Sequence, residues 1–173
     1  KKYKVVGLDN LSTGNFFFLK NAKKNKNFKF VKIDFFKNNI NKYFKNVDTV
    51  YHLAANADVR FGLNHPSKDI NENTLNTFYL LETMREVSAN KIIFASTGSV
   101  YGEAEIIPTP ENCPFPIQTS LYGASKLAGE GLIAAYCEGF EFQSWIFRFV
   151  SILGNRYTHG HVYDFYQNLN PVK

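Results

Sequence analysis

Cysteine is scarce in this sequence, because its 173 residues include only Cys113 and Cys137. The two form no C-x-x-C pair and lie near no histidine cluster, so the spacing does not favour a metal site. Unpaired thiols are typical of proteins in a reducing compartment. We therefore expect free cysteines in a cytoplasmic protein.

Long apolar runs are also absent. No stretch approaches the roughly 20 residues that span a bilayer, and no signal peptide precedes the first predicted strand. The composition still includes 45% hydrophobic residues, among them 17 Phe and 10 Tyr, which is enough for an aromatic core. The length of 173 residues suits a single domain. We expect a soluble protein without a membrane partner.

Acidic residues are outnumbered, with 15 Asp and Glu against 20 Lys and Arg, which gives a net charge of +5. Much of the excess lies between Lys20 and Lys45, within "LKNAKKNKNFKFVKIDFFKNN". Such a run indicates either a nucleic-acid or membrane patch, or a surface that is merely solvated. We expect the solvated surface and no nucleic-acid partner. Steep salt-dependent affinity for DNA would indicate the opposite.

Short apolar runs alternate with helical patterns along the chain. The runs at 3–8, 28–33, 49–53, 91–96 and 142–149 are apolar on both faces, which is typical of parallel strands covered by helices. The clearest helical patterns cover 69–87 and 120–138. This alternation predicts a doubly wound α/β domain, with ligands bound at the carboxyl ends of the strands.

Two predicted strands end in an aspartate. Asp9 follows the first apolar run and precedes "NLSTG", and Asp34 follows the second. A carboxylate at such a position accepts the ribose hydroxyls of an adenosine and repels the 2′-phosphate of NADP. Alternatively, Asp9 only caps the turn that follows it. Two such endings in succession favour a dinucleotide site, in which Asp34 meets the adenine amino group.

The segment "SLYGASKLAGE" places Tyr122 and Lys126 four residues apart, on one face of a helix. A free phenol has a pKa of about 10, and a neighbouring ammonium group lowers it, which would make Tyr122 a usable base. Alternatively, the pair belongs to an ordinary amphipathic surface. The strand at 91–96 runs into "STGSVYG", which brings Ser96, Thr97 and Ser99 to its carboxyl end, where a hydroxyl can bond to a substrate oxygen.

Seven motifs occur in order over nearly the whole chain: "VVGLDNLSTG", "FVKID", "VYHLAA", "NENTLNT", "KIIFASTGSVYG", "YGASK" and "FRFVSILGNR". With them the sequence resembles the NAD-dependent sugar-nucleotide epimerase/dehydratase family of extended short-chain dehydrogenases/reductases, above all its members of the UDP-glucose 4-epimerase type. The fold implied by this resemblance is a Rossmann-like parallel sheet. The implied cofactor is NAD, and the implied assembly is a homodimer formed through helices that include the Tyr122 helix.

The resemblance also implies a role for each matching residue. Tyr122 would be the catalytic base, Lys126 would bind the nicotinamide ribose and lower the phenol's pKa, and Thr97 would bond to the sugar oxygen. Thr97, Ser99 and Ser151 would lie near the nucleotide sugar. Cofactor contacts are implied for Tyr122, Lys126, Asp9, Asn10, Thr13, Gly14, Asp34, Phe35, Leu53, Ala54, Ala55 and Asn73.

One departure from the family pattern bears on the reaction. Dehydratases of the family carry acidic residues after the threonine, where this chain has Gly98 and Ser99. Water elimination needs such a general acid and base, whereas removing and returning a hydride at one carbon does not. The sequence therefore favours an NAD-dependent epimerase acting at C4 of a UDP-hexose. A 4,6-dehydratase or reductase of the same family and a non-catalytic NAD-binding sensor are the alternatives.

A second departure is that no G-x-x-G-x-x-G loop precedes Asp9 in this chain. We expect an internal fragment: residues 1–155 as a partial Rossmann-like domain without its first strand, glycine-rich loop and first helix, and 156–173 as the start of a substrate-binding region. The sheet should then divide into two ladders with exposed apolar edges. We expect weak or no NAD binding and poor solubility from the chain alone.

His159 and His161 in "THGHVYD" offer a possible metal pair. Two histidines and one aspartate at this spacing are too few for a closed site, so we expect no metal. The segment is better interpreted as a substrate-side loop that enters a helix near Val162.

Overall fold

The structure, a computed structural model, describes residues 3–35, 37–114, 117–154 and 160–169. Its strands are β1 (Val5–Asp9), β2 (Phe28–Lys32), β3 (Val50–His52), β4 (Lys91–Thr97) and β5 (Gln143–Phe149). Its α-helices are α1 (Phe61–Asn64), α2 (Pro66–Asp69), α3 (Asn76–Glu86), α4 (Leu121–Phe140) and α5 (His161–Leu169). The predicted α/β class is confirmed, and each of the five predicted strands overlaps an observed one.

The strands form two parallel ladders. β1 pairs with β2, from Val5 opposite Phe28 to Asp9 opposite Lys32. β4 lies between β3 and β5 in a separate three-stranded sheet, with Thr97 opposite Phe149. Among the described residues no backbone pairing joins β1 to β3, so the predicted division of the sheet is present.

The main core lies between the three-stranded sheet and helices α3 and α4. Ile92 and Phe94 of β4 are fully buried against Leu81 and Met84 of α3 and Ile133 of α4. Gly129 allows this packing, because a Cβ there would lie 3.1 Å from Phe94 Cζ. The central strand and helix α4 are therefore held closely together.

The strands are less covered than their apolar sequences predict. Val5 of β1 is 50% exposed and Trp145 of β5 is 47% exposed. The expectation of two covered faces is wrong for β1, in which no residue is buried, and for β5, in which alternate residues are exposed although α4 packs against this strand. Within the described ranges, no helix combines the length and apolar content needed to cross a bilayer.

The helix predicted at 69–87 is present, but it is not a regular α-helix along its whole length. A wider, π-helical turn, Ile70–Leu75, separates α2 from α3. Such turns are rare and often occur at functional sites. Helix α4 begins and ends close to its predicted limits, and α5 begins one residue before the predicted Val162.

Candidate active site and cofactor cavity

The carboxyl end of β4 brings two predicted site residues together. Thr97 is the last residue of β4 and is buried, and its Oγ1 accepts a hydrogen bond from Ser99 N at 3.1 Å. That bond caps the short turn Gly98–Tyr101. Tyr122 lies close enough to Thr97 for the Thr97 hydroxyl to lower the pKa of the phenol. The carboxyl end of β4 and the start of α4 therefore bring these two residues together.

The start of α4 determines the position of Tyr122. Ser120 caps the helix by accepting a hydrogen bond from Gly123 N at 2.9 Å. A Cβ on Gly123 would lie 2.9 Å from Ser99 O, so only glycine lets the first turn of α4 approach the turn after β4 this closely. The residue next to this contact is Tyr122.

The pKa of Tyr122 is raised, mainly because the phenol is largely removed from water. The neighbouring Thr97 hydroxyl lowers the pKa, whereas the negative charge of Asp69 raises it further. This direction is opposite to the lowering expected from the Tyr-Lys spacing. In this arrangement burial outweighs the other influences on the phenol.

The ammonium group of Lys126 is directed into the protein. Its Nζ donates to Ala95 O at 2.9 Å and lies 4.7 Å from the centre of the Phe94 ring. Burial lowers the pKa of Lys126 to about 8. This location explains why the ammonium group does not dominate the pKa of Tyr122. The ribose contact of Lys126 stays a prediction.

A cavity of about 250 Å³ opens beside the ends of β1, β2 and β3. Eight residues predicted to bind the cofactor line it: Asp9, Asn10, Thr13, Gly14, Phe35, Leu53, Ala54 and Ala55. The sequence interpretation missed six others: Leu8, Ser12, Ile33, Ala57, Glu72 and Asn76. Glu72 and Asn76 belong to the segment "NENTLNT", in which Asn76 stands at the glycine of the family's N-x-x-G-T; this mismatch was the available signal.

Asp9 both caps the turn that follows it and lines the cavity, so the structure combines the two alternatives that the sequence left open. Its Oδ1 accepts a hydrogen bond from Leu11 N at 2.6 Å, which forms the expected turn. The residue also lines the cavity. Gly14 leaves room for the carboxylate, because a Cβ there would lie 3.3 Å from Asp9 Oδ2. The turn thus fixes a carboxylate at the cavity wall.

Four of the twelve residues predicted to bind the cofactor do not line this cavity: Asp34, Asn73, Tyr122 and Lys126. Ile33 and Phe35 line it, but Asp34 between them does not, because side chains alternate along extended backbone. Asp34 instead forms an ion pair with Lys37 at 3.5 Å. Ser151 is exposed, and its Oγ lies 3.4 Å from His161 Nε2.

Asn73 connects the cavity to the helix that carries Tyr122. Its Oδ1 accepts from Asn56 N at 2.8 Å, in the loop that follows Ala54 and Ala55. Its Nδ2 donates to Ser125 Oγ at 2.9 Å, and Ser125 Oγ donates to Tyr122 O at 2.8 Å. One buried side chain therefore contacts both parts of the candidate site.

The cavity is lined by groups that suit the adenosine half of NAD. The Asp9 carboxylate provides acceptors for ribose hydroxyls, and Phe35 and Leu53 provide apolar surface for a base. Asn76 lines the same cavity, and its Oδ1 is buried without a hydrogen-bond partner among the described residues. The lining includes none of Thr97, Tyr122 and Lys126, so the fit concerns the nucleoside end.

In the described parts of the chain, no group of three or more His, Cys, Asp or Glu residues could hold a metal ion. His159, one of the two histidines considered for a metal, lies outside the described residues.

Comparison with known proteins gives consistent matches. The sequence model of the NAD dependent epimerase/dehydratase family matches residues 1–169. The chain is 39% identical over 160 residues to a putative UDP-glucose 4-epimerase of Methanocaldococcus jannaschii, covering 89% of this chain and 50% of that protein. The chain spans about half the length of the curated relatives it matches.

Solved structures share the fold. A UDP-galactose 4-epimerase has a TM-score of 0.85 and 36% identity, with 98% of this chain and 56% of that chain covered. A UDP-glucuronic acid 4-epimerase of Bacillus cereus, in complex with UDP-glucuronic acid and NAD, has a TM-score of 0.77 and 32% identity, with 84% and 48% covered. With the family match over residues 1–169, these similarities show that the chain belongs to the NAD-dependent epimerase/dehydratase family.

Proposed function

We propose that this protein is an NAD-dependent nucleotide-sugar epimerase that inverts C4 of a UDP-hexose. The observation that carries the proposal is the approach of Thr97, at the carboxyl end of β4, to Tyr122 in the first turn of α4, which Gly123 allows by packing against Ser99 O. The relatives named as UDP-sugar 4-epimerases support the reaction and the class of substrate.

In the proposed mechanism Tyr122 removes the proton from the sugar hydroxyl at C4. Thr97 donates a hydrogen bond to the same oxygen and aligns it with the phenol. NAD, when bound, supplies the acceptor that takes the C4 hydride and returns it to the other face. Tyr122 gives the proton back when the alcohol forms again, so neither residue is consumed.

Different residues of the chain would bind different parts of the cofactor. Asp9 and Asn10 would hold the adenosine ribose, and Phe35 and Leu53 would contact the adenine. Lys126 is the predicted partner of the nicotinamide ribose. Because its buried amine has a pKa of about 8, a hydroxyl acceptor would stabilise its charged form at neutral pH.

A 4,6-dehydratase is less well supported by this site. Elimination needs an acid and a base beyond Tyr122, and the turn after Thr97 offers only Gly98 and Ser99. Glu130 lies near the same strand, but its carboxylate accepts from Ser96 Oγ at 2.5 Å and from Arg148 NH2 at 2.8 Å. Glu130 of α4 therefore connects β4 to β5 through these bonds and is not available as a general acid or base.

The proposed assembly rests on exposed apolar surface of two helices. Helices α3 and α4 expose apolar side chains, including Phe78 at 37% and Phe140 at 49%. We infer that these helices pack against a second copy in a homodimer. Sedimentation of the protein produced from its complete reading frame tests this, and a monomer at micromolar concentration would contradict it.

A single substitution tests the proposed activity. Tyr122→Phe, in the protein produced from its complete reading frame, should reduce interconversion of UDP-glucose and UDP-galactose by about 10²–10⁴-fold, the usual contribution of general acid–base catalysis. Tyr79→Phe makes the same chemical change at an exposed position on α3, so it serves as the matched control and should retain full turnover. Unchanged turnover of Tyr122→Phe would instead support a non-catalytic NAD-binding role.

A further inference from the structure

Asp69 has no role in the site described so far except through its charge. It is the last residue of α2, and its side chain is fully buried. Its Oδ1 accepts a hydrogen bond from Asn56 Nδ2 at 2.8 Å and lies 3.4 Å from Asn73 Nδ2. Its Oδ2 has no hydrogen-bond partner, and Asp69 forms no ion pair, among the described residues.

A buried carboxylate without a cation is costly to stability. An asparagine or a leucine would avoid much of that cost at this position. Gly62 of α1 packs directly against the Asp69 carboxylate, because a Cβ on Gly62 would overlap Asp69 Oδ2. Because the Asp69 carboxylate lowers stability and is closely enclosed, packing alone does not explain its presence.

The contacts of Asp69 lie on both sides of the candidate site. Asn56 belongs to the loop that follows β3, whose residues Leu53–Ala55 line the cavity. Asn73 holds the same loop through Asn56 N and holds Ser125 of α4 through its Nδ2. Asp69 therefore completes a buried cluster that joins the cavity loop to the helix of Tyr122.

We propose that Asp69 is a positioning residue, whose carboxylate fixes the loop at 53–58 against helix α4 so that the cofactor cavity and Tyr122 keep their relative places. The part that concerns catalysis rests on the function proposed above. The part that concerns the loop depends only on the contacts of Asn56, Asn73 and Gly62.

The charge of Asp69 has a second consequence, since it raises the pKa of Tyr122. The other charged groups of the neighbouring elements are engaged elsewhere. Lys68 pairs with Glu72 at 2.8 Å on the adjoining helical turns, and Lys126 of α4 donates to Ala95 O. Arg60, before α1, lies between Asp58 and Asp164. Asp69 is thus the carboxylate whose removal should affect Tyr122 directly.

Hydrogen exchange at the Asn56 amide tests the positioning role without any activity measurement. Asp69→Ala removes the anchor of the Asn56 side chain, so exchange of the Asn56 amide should become about tenfold faster or more. Asp48→Asn, at an exposed carboxylate, is the control and should leave this exchange rate unchanged. An unchanged rate in Asp69→Ala would overturn the proposal.

If Asp69→Ala does not fold, Gly62→Ala replaces it, because its Cβ displaces the carboxylate while keeping the charge. The same acceleration at Asn56 is then expected, and its absence overturns the proposal equally.

Asp69→Asn separates the charge from the shape. It can keep the bond to Asn56, so the exchange rate should remain near that of the wild type. The rising limb of kcat/KM against pH should move to lower pH, because a negative charge that raises the pKa of Tyr122 is gone. If the rising limb of this pH profile is the same in Asp69→Asn as in the wild type, the electrostatic part of the proposal is overturned. A wild-type protein without epimerase activity would contradict the proposed function instead, while the exchange measurement still decides the role of Asp69.

Discussion

Asp9 shows how one residue can combine a structural and a binding role. Its Oδ1 accepts a hydrogen bond from Leu11 N and so stabilises the turn. Leu11 adopts a positive φ of 59° in this turn. A left-handed conformation is uncommon for leucine and needs support from its surroundings. The same carboxylate lines the cavity in which we place the adenosine ribose. Removing only its charge separates these two roles.

Asp9→Asn should weaken the discrimination between NAD and NADP. The amide can still accept from Leu11 N, but it no longer repels a 2′-phosphate. At a separation of about 4 Å in water, one charge pair contributes about 1 kcal/mol, so the ratio of the two dissociation constants should change about fivefold. Titration of the protein from its complete reading frame with each dinucleotide measures this ratio. An unchanged ratio would place the ribose elsewhere, and Asp48→Asn is the matched control.

At the scale of elements, a buried histidine links β3 to α3. His52 Nε2 lies 2.9 Å from Thr77 Oγ1, and Thr77 Oγ1 donates to Asn73 O. The bond therefore requires His52 to donate through a protonated Nε2. Burial, assisted by the charge of Lys126, lowers the pKa of His52 to about 3. The buried imidazole is therefore neutral in the folded protein at neutral pH, with its proton on Nε2.

The burial of His52 predicts a loss of stability in mild acid. The folded pKa of about 3 lies below the unfolded value of 6.5, so the unfolded state binds the proton first as the pH falls through 6.5. Between pH 7 and pH 5 the free energy of unfolding should fall by about 2 kcal/mol from this group. His52→Gln, which can still donate to Thr77, should show a correspondingly smaller fall. Urea unfolding at pH 7 and pH 5 measures the free energy of unfolding of both proteins. An equal decrease in the wild type and in His52→Gln would contradict the assignment of this pH dependence to His52.

The elements themselves could be predicted because their apolar runs are bounded by polar turns. β4 and α4 lie close to their predicted limits, and that placement alone brings Thr97 near Tyr122. The π-helical turn Ile70–Leu75 could not be predicted, because its i to i+5 bonding leaves no distinct apolar period. It changes the phase of the following residues, and Asn76 and Glu72 were accordingly missed as cavity residues.

The direction of the buried ammonium group was also beyond sequence reasoning. The four-residue spacing predicts that Tyr122 and Lys126 share a helical face, but not that Nζ binds Ala95 O. That bond depends on how closely α4 packs on β4, which in turn depends on Gly123 and Gly129. Local spacing determines the face of a helix, whereas tertiary packing determines the contact.

The whole molecule is divided between two ladders with apolar surface near the division. Tyr51 and Leu53 are 67% and 66% exposed, and Val5 of β1 is 50% exposed. Exposed apolar strands favour association with other chains. The described cavity is lined at the nucleoside end only, since Thr97, Tyr122 and Lys126 are not among its lining residues.

The 173-residue chain by itself should therefore self-associate and bind NAD weakly. Light scattering should detect species larger than a dimer at micromolar concentration, because the strand edges are apolar and unpaired. Thermal unfolding should show no saturable stabilisation by NAD. A monodisperse chain with clear saturable stabilisation would contradict both expectations.

The central claim is that C4 of a UDP-hexose loses and regains its own hydride at Tyr122 and Thr97. The most direct measurement uses UDP-glucose deuterated at C4, incubated in ordinary water with the protein from its complete reading frame. The product should be UDP-galactose that retains the deuterium at C4, and Tyr122→Phe should form it at least about 10²-fold more slowly. Loss of the label to solvent, or a product that has lost water, would contradict the account.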